Sequence, residues 1–228
     1  MAAEIHEITE FHDMPNVFAD RFEAGEIVGS MLEKAFYGIE EGMVVAVPSG
    51  GVPVGIKVSQ ALKLPMDLIL ARKLQIPGNT EAGYGAIAID GSTFFNKTLL
   101  SQLKLSEEQI EAEKAKVLGE LEKRNSLFRE GRPVPDLTGK RVILVDDGLA
   151  SGYTMLASVH MVRDSKAAEA VVAVPTAPER TIDFISRYAD RIYCANIRTA
   201  PFFAVADAYQ SWYDLKETDV LDLLQPHT

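Results

Sequence analysis

Twice in this chain a short apolar run breaks off at a glycine-bearing turn and gives way to apolar residues at helical spacing. Met43-Val44-Val45-Ala46-Val47 ends at Pro48-Ser49-Gly50-Gly51 and is followed by helical periodicity from Val54 to Leu62. Arg141-Val142-Ile143-Leu144-Val145 ends in a turn from Asp146 to Gly152 and is followed by a helix from Thr154 to Asp164. Short runs this apolar suit strands buried on both faces, and strands joined through helices lie parallel. Leu68-Ile69-Leu70-Ala71 reads as another buried strand, and Ala170 to Val174 as one that ends at Pro175. A helix near Thr181 to Tyr188 and a strand at Arg191 to Ala195 continue the alternation. The expected fold class is α/β, a mostly parallel sheet flanked by helices on both faces.

The remaining segments decorate that alternation. From Val17 to Tyr37, apolar residues such as Phe18, Phe22, Val28, Leu32 and Phe36 recur at helical spacing, with a start signal at Asp13 to Asn16, and predict one or two helices. Arg72 to Gly85 carries three glycines, one proline and no clean period, which predicts a loop. Ile87-Ala88-Ile89 and Phe94-Phe95 read as short strands flanking the turn Asp90-Gly91. Ser106-Glu107-Glu108-Gln109 fits a capping box that opens a long helix to Phe128, with Ile110, Val117, Leu121 and Phe128 along one side. Gly131, Pro133 and Pro135 end it. The organisation expected is one domain over 1–228 with a helical insertion at about 97–135 and a small hood or terminal region. The apolar side of the long helix needs a cover, and a second subunit is one candidate, so a homodimer is expected.

Chemistry concentrates in the stretch from Val142 to Thr154. In an open α/β sheet, ligands bind beyond the carboxyl ends of the strands, where Asp146 and Asp147 fall. Adjacent acids there can accept hydrogen bonds from a vicinal diol. Gly148 and Gly152 permit a tight loop with converging amides, and the Ser151 and Thr154 hydroxyls add donors at the following helix N-terminus. Diol and phosphate are served by one loop, which suits a sugar phosphate. Paired aspartates can also form a magnesium-holding phosphoacceptor pocket of the receiver-domain kind, but a glycine- and hydroxyl-rich loop after the acids fits an incoming phosphate monoester better.

At this stretch the chain resembles the type I phosphoribosyltransferases, whose signature is an apolar strand, two acids and a small-residue loop with Thr-Gly near its end; Ser151 replaces the threonine. The resemblance extends to proteins of that family containing Pro-Arg-Gly-Gly-Val-Pro-Val. Here Pro48-Ser49-Gly50-Gly51-Val52-Pro53-Val54, Arg72-Lys73-Leu74, Pro77-Gly78-Asn79, Glu81, Gly85-Ala86-Ile87 and Trp212-Tyr213 match in order. It implies a phosphoribosyl group transferred from 5-phosphoribosyl-1-diphosphate to a small-molecule acceptor, a nitrogenous base or similar, with Mg²⁺ as cofactor. Ser49, Gly50 and Gly51 then lie along the diphosphate, where Ser49 stands in place of arginine and replaces its charge and bidentate phosphate binding only in part. Gly148, Leu149, Ala150, Ser151, Gly152, Tyr153 and Thr154 cradle the phosphate. Arg72 and Lys73 neutralise charge on departing pyrophosphate, and Glu81 belongs to a lid that excludes water. Asp146 and Asp147 hold the ribose hydroxyls directly or through metal-bound water, with Asp147 also toward the acceptor. Tyr209, Trp212 and Tyr213 either close the core or line the acceptor site, and His160 is read as a structural or surface histidine and not a catalyst.

The formal charge of -10 argues against a broad nucleic-acid-binding surface. The longest apolar runs are too short to cross a bilayer, so no membrane partner is expected. No charged-then-apolar leader opens the chain and its one cysteine, Cys194, cannot form an internal disulfide, from which a cytoplasmic location is expected. A regulatory protein that binds the same donor or a nucleotide without turnover is the alternative function. A nucleotide-binding oxidoreductase is disfavoured, because no Gly-x-Gly-x-x-Gly turn follows the first apolar strand.

Overall fold

The apolar runs assemble into one sheet. The computed structural model describes residues 2–77, 79–200 and 202–225, and of residues 79–82 the backbone alone. Among the described residues the strands β1 (Glu4–His6), β2 (Gly42–Ala46), β3 (Met66–Leu68), β7 (Arg141–Val145), β8 (Glu169–Pro178) and β9 (Arg191–Arg198) form a six-stranded sheet in the order β1-β9-β8-β7-β2-β3. Every neighbouring pair is parallel. The side-chain period of two sends alternate residues to opposite faces. Val44, Ile143, Val145 and Val171 pack under α1 (Arg21–Phe36) and α2 (Gly51–Leu62), while Val45, Val142, Leu144 and Val172 pack under α5 (Tyr153–Asp164) and α6 (Glu179–Ile185).

From β2 the chain steps to β3 on one side, and from β7 it steps to β8 and β9 on the other. The β2–β7 boundary is therefore where strand order reverses, and the crevice outside the carboxyl ends of such strands is where ligands bind. Their register, Gly42 opposite Arg141 through Ala46 opposite Val145, ends both strands side by side. The two glycine turns that follow face each other across that crevice.

A small antiparallel sheet of β4 (Ala71–Ile76), β5 (Asn79–Ala88) and β6 (Thr93–Phe95) occupies the segment predicted as a loop from Arg72 to Gly85. Gly83 and Gly85 are strand residues that permit close backbone approach: a Cβ on Gly85 would stand 2.4 Å from the Phe94 carbonyl oxygen. One face of this sheet, with Ala71, Ala86 and Ala88, packs on α5. The other, with Leu74, Tyr84 and Ile87, packs on Val117, Leu121 and Phe128 of α4 (Glu107–Arg129), where Val220 of α7 (Glu217–Leu224) also packs. The cover that the sequence left open to a second subunit is thus supplied by the chain itself. The capping box at Ser106 forms as predicted, after a further short helix, α3 (Lys97–Leu103). At its far end Arg129 is fastened to β3 through Asp67, with Nε–Oδ1 at 2.7 Å and Nη2–Oδ2 at 2.9 Å.

Other boundaries moved for identifiable reasons. The first long helix starts not at Asp13 to Asn16 but at Asp20, whose carboxylate accepts from the amides of Phe22 and Glu23. The run at Leu68 to Ala71 divides between β3 and β4 because the chain leaves the main sheet there for the small one. β8 continues through Pro175, since beyond Ala173 it pairs with β9 alone and no neighbour on its other side needs the missing N–H. The edge strand β1, too short to show a period, was not anticipated. No helix among the described residues is long and apolar enough to cross a membrane.

Candidate functional site

The turn after β2 and the turn after β7 are in direct contact. A Cβ on Gly50 would fall 1.9 Å from Oδ2 of Asp147, and one on Gly51 would fall 2.7 Å from the Val145 carbonyl oxygen. These two glycines are set by close approach, and the peptide between Pro48 and Ser49 is cis. Gly50→Ala is expected to lower stability by about 1–3 kcal/mol, as overpacking does, because Asp147 can give way only by leaving Arg21. Urea denaturation checks this; a midpoint equal to wild type would show that the loop yields freely.

The two acids have different surroundings. Asp147 is 14% exposed at its side chain and its Oδ2 accepts from Arg21 Nε at 2.8 Å, while its backbone carbonyl accepts from the Tyr209 hydroxyl at 2.5 Å. Asp146 accepts from the Asp147 amide at 2.9 Å through its Oδ1. Burial raises its pKa well above the usual carboxylate range, and the charge of Asp147 adds to the rise. Burial also raises Asp147, against the pull of Arg21. Burial and then the Asp147 charge raise Tyr209, so its phenol stays protonated and donates. A carboxyl raised by desolvation beside an open crevice is a group whose charge a ligand or cation would stabilise.

Asp146 stands between two adjoining cavities that also share Lys73 and Thr154. The larger, of about 440 Å³, is walled by Gly148 through Gly152. Gly152 adopts φ +80° and a Cβ there would meet Thr181 at 2.8 Å, while the Thr181 hydroxyl donates to the Ala150 carbonyl at 2.7 Å and braces the loop. The loop leads into the first turn of α5, whose N–H groups have no intrahelical acceptors and suit an anion. The smaller, of about 340 Å³, is lined by Pro48, Arg72, Lys73 and one face of α4.

Most sequence-predicted residues meet here, with exceptions. Leu149 is buried and its amide is committed to the Thr176 carbonyl at 2.9 Å, so it shapes the loop without offering a donor. The Tyr153 ring turns away onto Phe94 and Phe184. Arg72 reaches the smaller cavity but is paired with Glu120 of α4 at 2.5 Å. Gly78 and the side chains of Asn79 and Glu81 lie outside the described residues. Tyr209 and Trp212 line neither cavity and close around Arg21, whose guanidinium carbon lies 3.8 Å from the Trp212 ring centroid.

Sequence reasoning missed Arg21 and Arg124. The signal for both was an arginine inside an apolar stripe. Arg21 lies on the buried side of α1 with Gly25, Val28 and Leu32. Arg124 falls between Leu121 and Phe128 on α4, and its Nη2 donates to the Ser49 hydroxyl at 3.0 Å.

Comparison with known proteins bears on the family. Residues 9–212 match the family model described as phosphoribosyl transferase domain. A Mycobacterium tuberculosis protein named "Putative phosphoribosyl transferase Rv0571c" is 34% identical over 208 residues, which are 91% of this chain and 46% of that protein. The chain thus spans about half the length of the curated relatives it matches. The crystal structure of TT1426 from Thermus thermophilus superposes with a TM-score of 0.75 at 30% identity, covering 91% of this chain and 97% of the other. The Aquifex aeolicus protein AQ2163 shares the fold at 12% identity, with a TM-score of 0.50 over 83% of this chain and 78% of its own. With the family model running from the 3₁₀ turn before α1 to the tryptophan that covers Arg21, the chain belongs to the phosphoribosyl transferase domain family.

Proposed function

We propose that the protein transfers the phosphoribosyl group of 5-phosphoribosyl-1-diphosphate to a nitrogenous base or similar small acceptor, with release of pyrophosphate. The observation that carries this reading is the placement of Asp146 between a phosphate-type loop on one side and a cation-lined cavity on the other. A donor with a monophosphate at one end, a diol in the middle and a diphosphate at the other matches that order of groups.

In this reading the loop from Gly148 to Thr154 binds the monophosphate through the amides at the start of α5 and the Ser151 and Thr154 hydroxyls. Asp146 accepts from the ribose hydroxyls. The loop from Ser49 to Gly51, with Arg72 and Lys73, holds the diphosphate. As the acceptor nitrogen bonds to the anomeric carbon, the bond from that carbon to the diphosphate oxygen breaks and its electron pair leaves on the diphosphate. Fixed cations beside the departing group stabilise the charge that builds there. Among the described residues no group of three or more histidine, cysteine, aspartate or glutamate side chains could hold a metal ion. Magnesium of the kind carried by a substrate diphosphate needs only one or two carboxylates and keeps much of its water. Asp146, which lines both cavities, fits that requirement, with Asp147 beside it held by Arg21, and the ion would supply charge neutralisation at the diphosphate.

Incubation of the protein with the donor, magnesium and a panel of purine and pyrimidine bases, with pyrophosphate release as the readout, tests the reading. Release that depends on one acceptor supports transfer. Donor binding with no release for any acceptor would favour the regulatory alternative.

A further inference from the structure

One polar face of α4 remains without a role in the fold. Glu113, Lys116, Glu120 and Arg124 recur at helical spacing and all line the smaller cavity, opposite Pro48 and beside Asp146. Three of these are paired within the protein: Glu113 and Lys116 with each other, and Glu120 with Arg72. Arg124 differs. Its side chain is 19% exposed, and its carboxylate partner, Glu217, lies at 3.3 Å and is itself 55% exposed, so water screens that pair. Its Nη2 reaches the Ser49 hydroxyl at 3.0 Å, and its Nη1 makes no hydrogen bond among the described residues.

Burial, and then the charge of Arg72, pull the Arg124 pKa below its ordinary value. A guanidinium placed in this way brings into a cavity a positive charge that the exposed Glu217 offsets only in part, with a donor to spare in a fixed, planar arrangement. That is the arrangement that recognises an oxyanion bidentately.

We infer that Arg124 is the anion-binding guanidinium of a diphosphate subsite, brought by the inserted helix to the loop at Ser49, which has no charge of its own. The inference rests on the proposed function for the identity of the ligand and goes beyond it in naming a binding residue on the inserted helix, α4. The helix that carries it is held at its end by the Asp67–Arg129 pair, which fixes where Arg124 sits. The subsite takes the diphosphate end of the donor and leaves the monophosphate end to the loop before α5.

Calorimetric titration of the full chain and of Arg124→Gln with magnesium 5-phosphoribosyl-1-diphosphate and with ribose 5-phosphate tests this. Glutamine keeps the helix propensity and much of the stem, and urea denaturation of each variant verifies the fold. The expected result is that Arg124→Gln loses about 10- to 100-fold in affinity for the diphosphate, the range for hydrogen bonds to a charged group, with ribose 5-phosphate within about 2-fold of wild type. Ser49→Arg placed on the Arg124→Gln background is expected to recover most of the loss, because it returns a guanidinium beside the place that the Arg124 group occupies in wild type. An affinity for the diphosphate unchanged in a folded Arg124→Gln protein overturns the inference and leaves the transferase reading standing, as does an equal loss for both ligands. A wild-type protein that binds neither ligand overturns both.

Discussion

Arg21→Ala is expected to destabilise the fold by about 3–5 kcal/mol, the cost of removing one partner from a buried ion pair. Arg21 is 7% exposed at its side chain and does three things at once. Its Nε bonds Asp147, its Nη1 donates to the Tyr213 carbonyl at 2.9 Å, and its guanidinium carbon lies over the Trp212 ring. Without it, Asp147 is left beside Asp146 with its nearest counter-charge gone, and the C-terminal segment loses the group it closes around. The pH dependence has a definite sign. The pKa of Asp147 is already raised by burial against the pull of Arg21, so loss of the arginine raises it further. The deficit is then smallest at acid pH, where the carboxyl is protonated, and grows as pH rises through its folded-state pKa. Urea denaturation at several pH values measures this, and a pH-independent loss under about 1 kcal/mol, the scale of an exposed pair, would show that the pair does not hold the acid in place.

Asp146→Asn is expected to move stability and binding in opposite directions. Burial and the neighbouring Asp147 raise the Asp146 pKa, so the native state holds a proton that the unfolded chain has released. Wild-type stability therefore falls as pH rises from the ordinary carboxylate range, near about 4, through the folded-state pKa. Asparagine has no such titration, so the variant gains on wild type from acid to neutral pH, by about 1 kcal/mol, the scale on which functional sites trade stability for activity. Donor affinity falls on the order of 100-fold, since the diol loses a charged acceptor. Thermal melting and calorimetry on the same protein read both effects. A variant less stable than wild type at neutral pH would mean that the carboxylate serves the core and not a ligand.

The parallel sheet was legible because its strands are buried on both faces and so appear as uninterrupted apolar runs, each punctuated by glycine. The same punctuation misled at Arg72 to Gly85, where glycines permit close strand approach instead of a turn, and the small sheet that walls the site was read as a loop. Asp146 and the loop to Thr154 were legible as a local pattern of acids, glycines and hydroxyls. Which acid faces the cavity was not, because that depends on Arg21, 126 residues away along the chain. Arg124 was likewise invisible to local pattern. Its partner Ser49 belongs to a different strand-helix unit, and only the packing of α4 on the small sheet brings the two together. The glycines at 50 and 51 were read as phosphate-approach residues, and the cause the structure shows is their contact with the turn at Asp146 and Asp147.

Binding of the donor at the crevice between β2 and β7 is tested most directly by calorimetric titration of the wild-type protein with 5-phosphoribosyl-1-diphosphate and with ribose 5-phosphate, each with and without magnesium. Tighter binding of the diphosphate, and a gain from magnesium for that ligand alone, is the expected result. Equal affinity for the two ligands, or binding of neither, would contradict the assignment of the crevice to this donor.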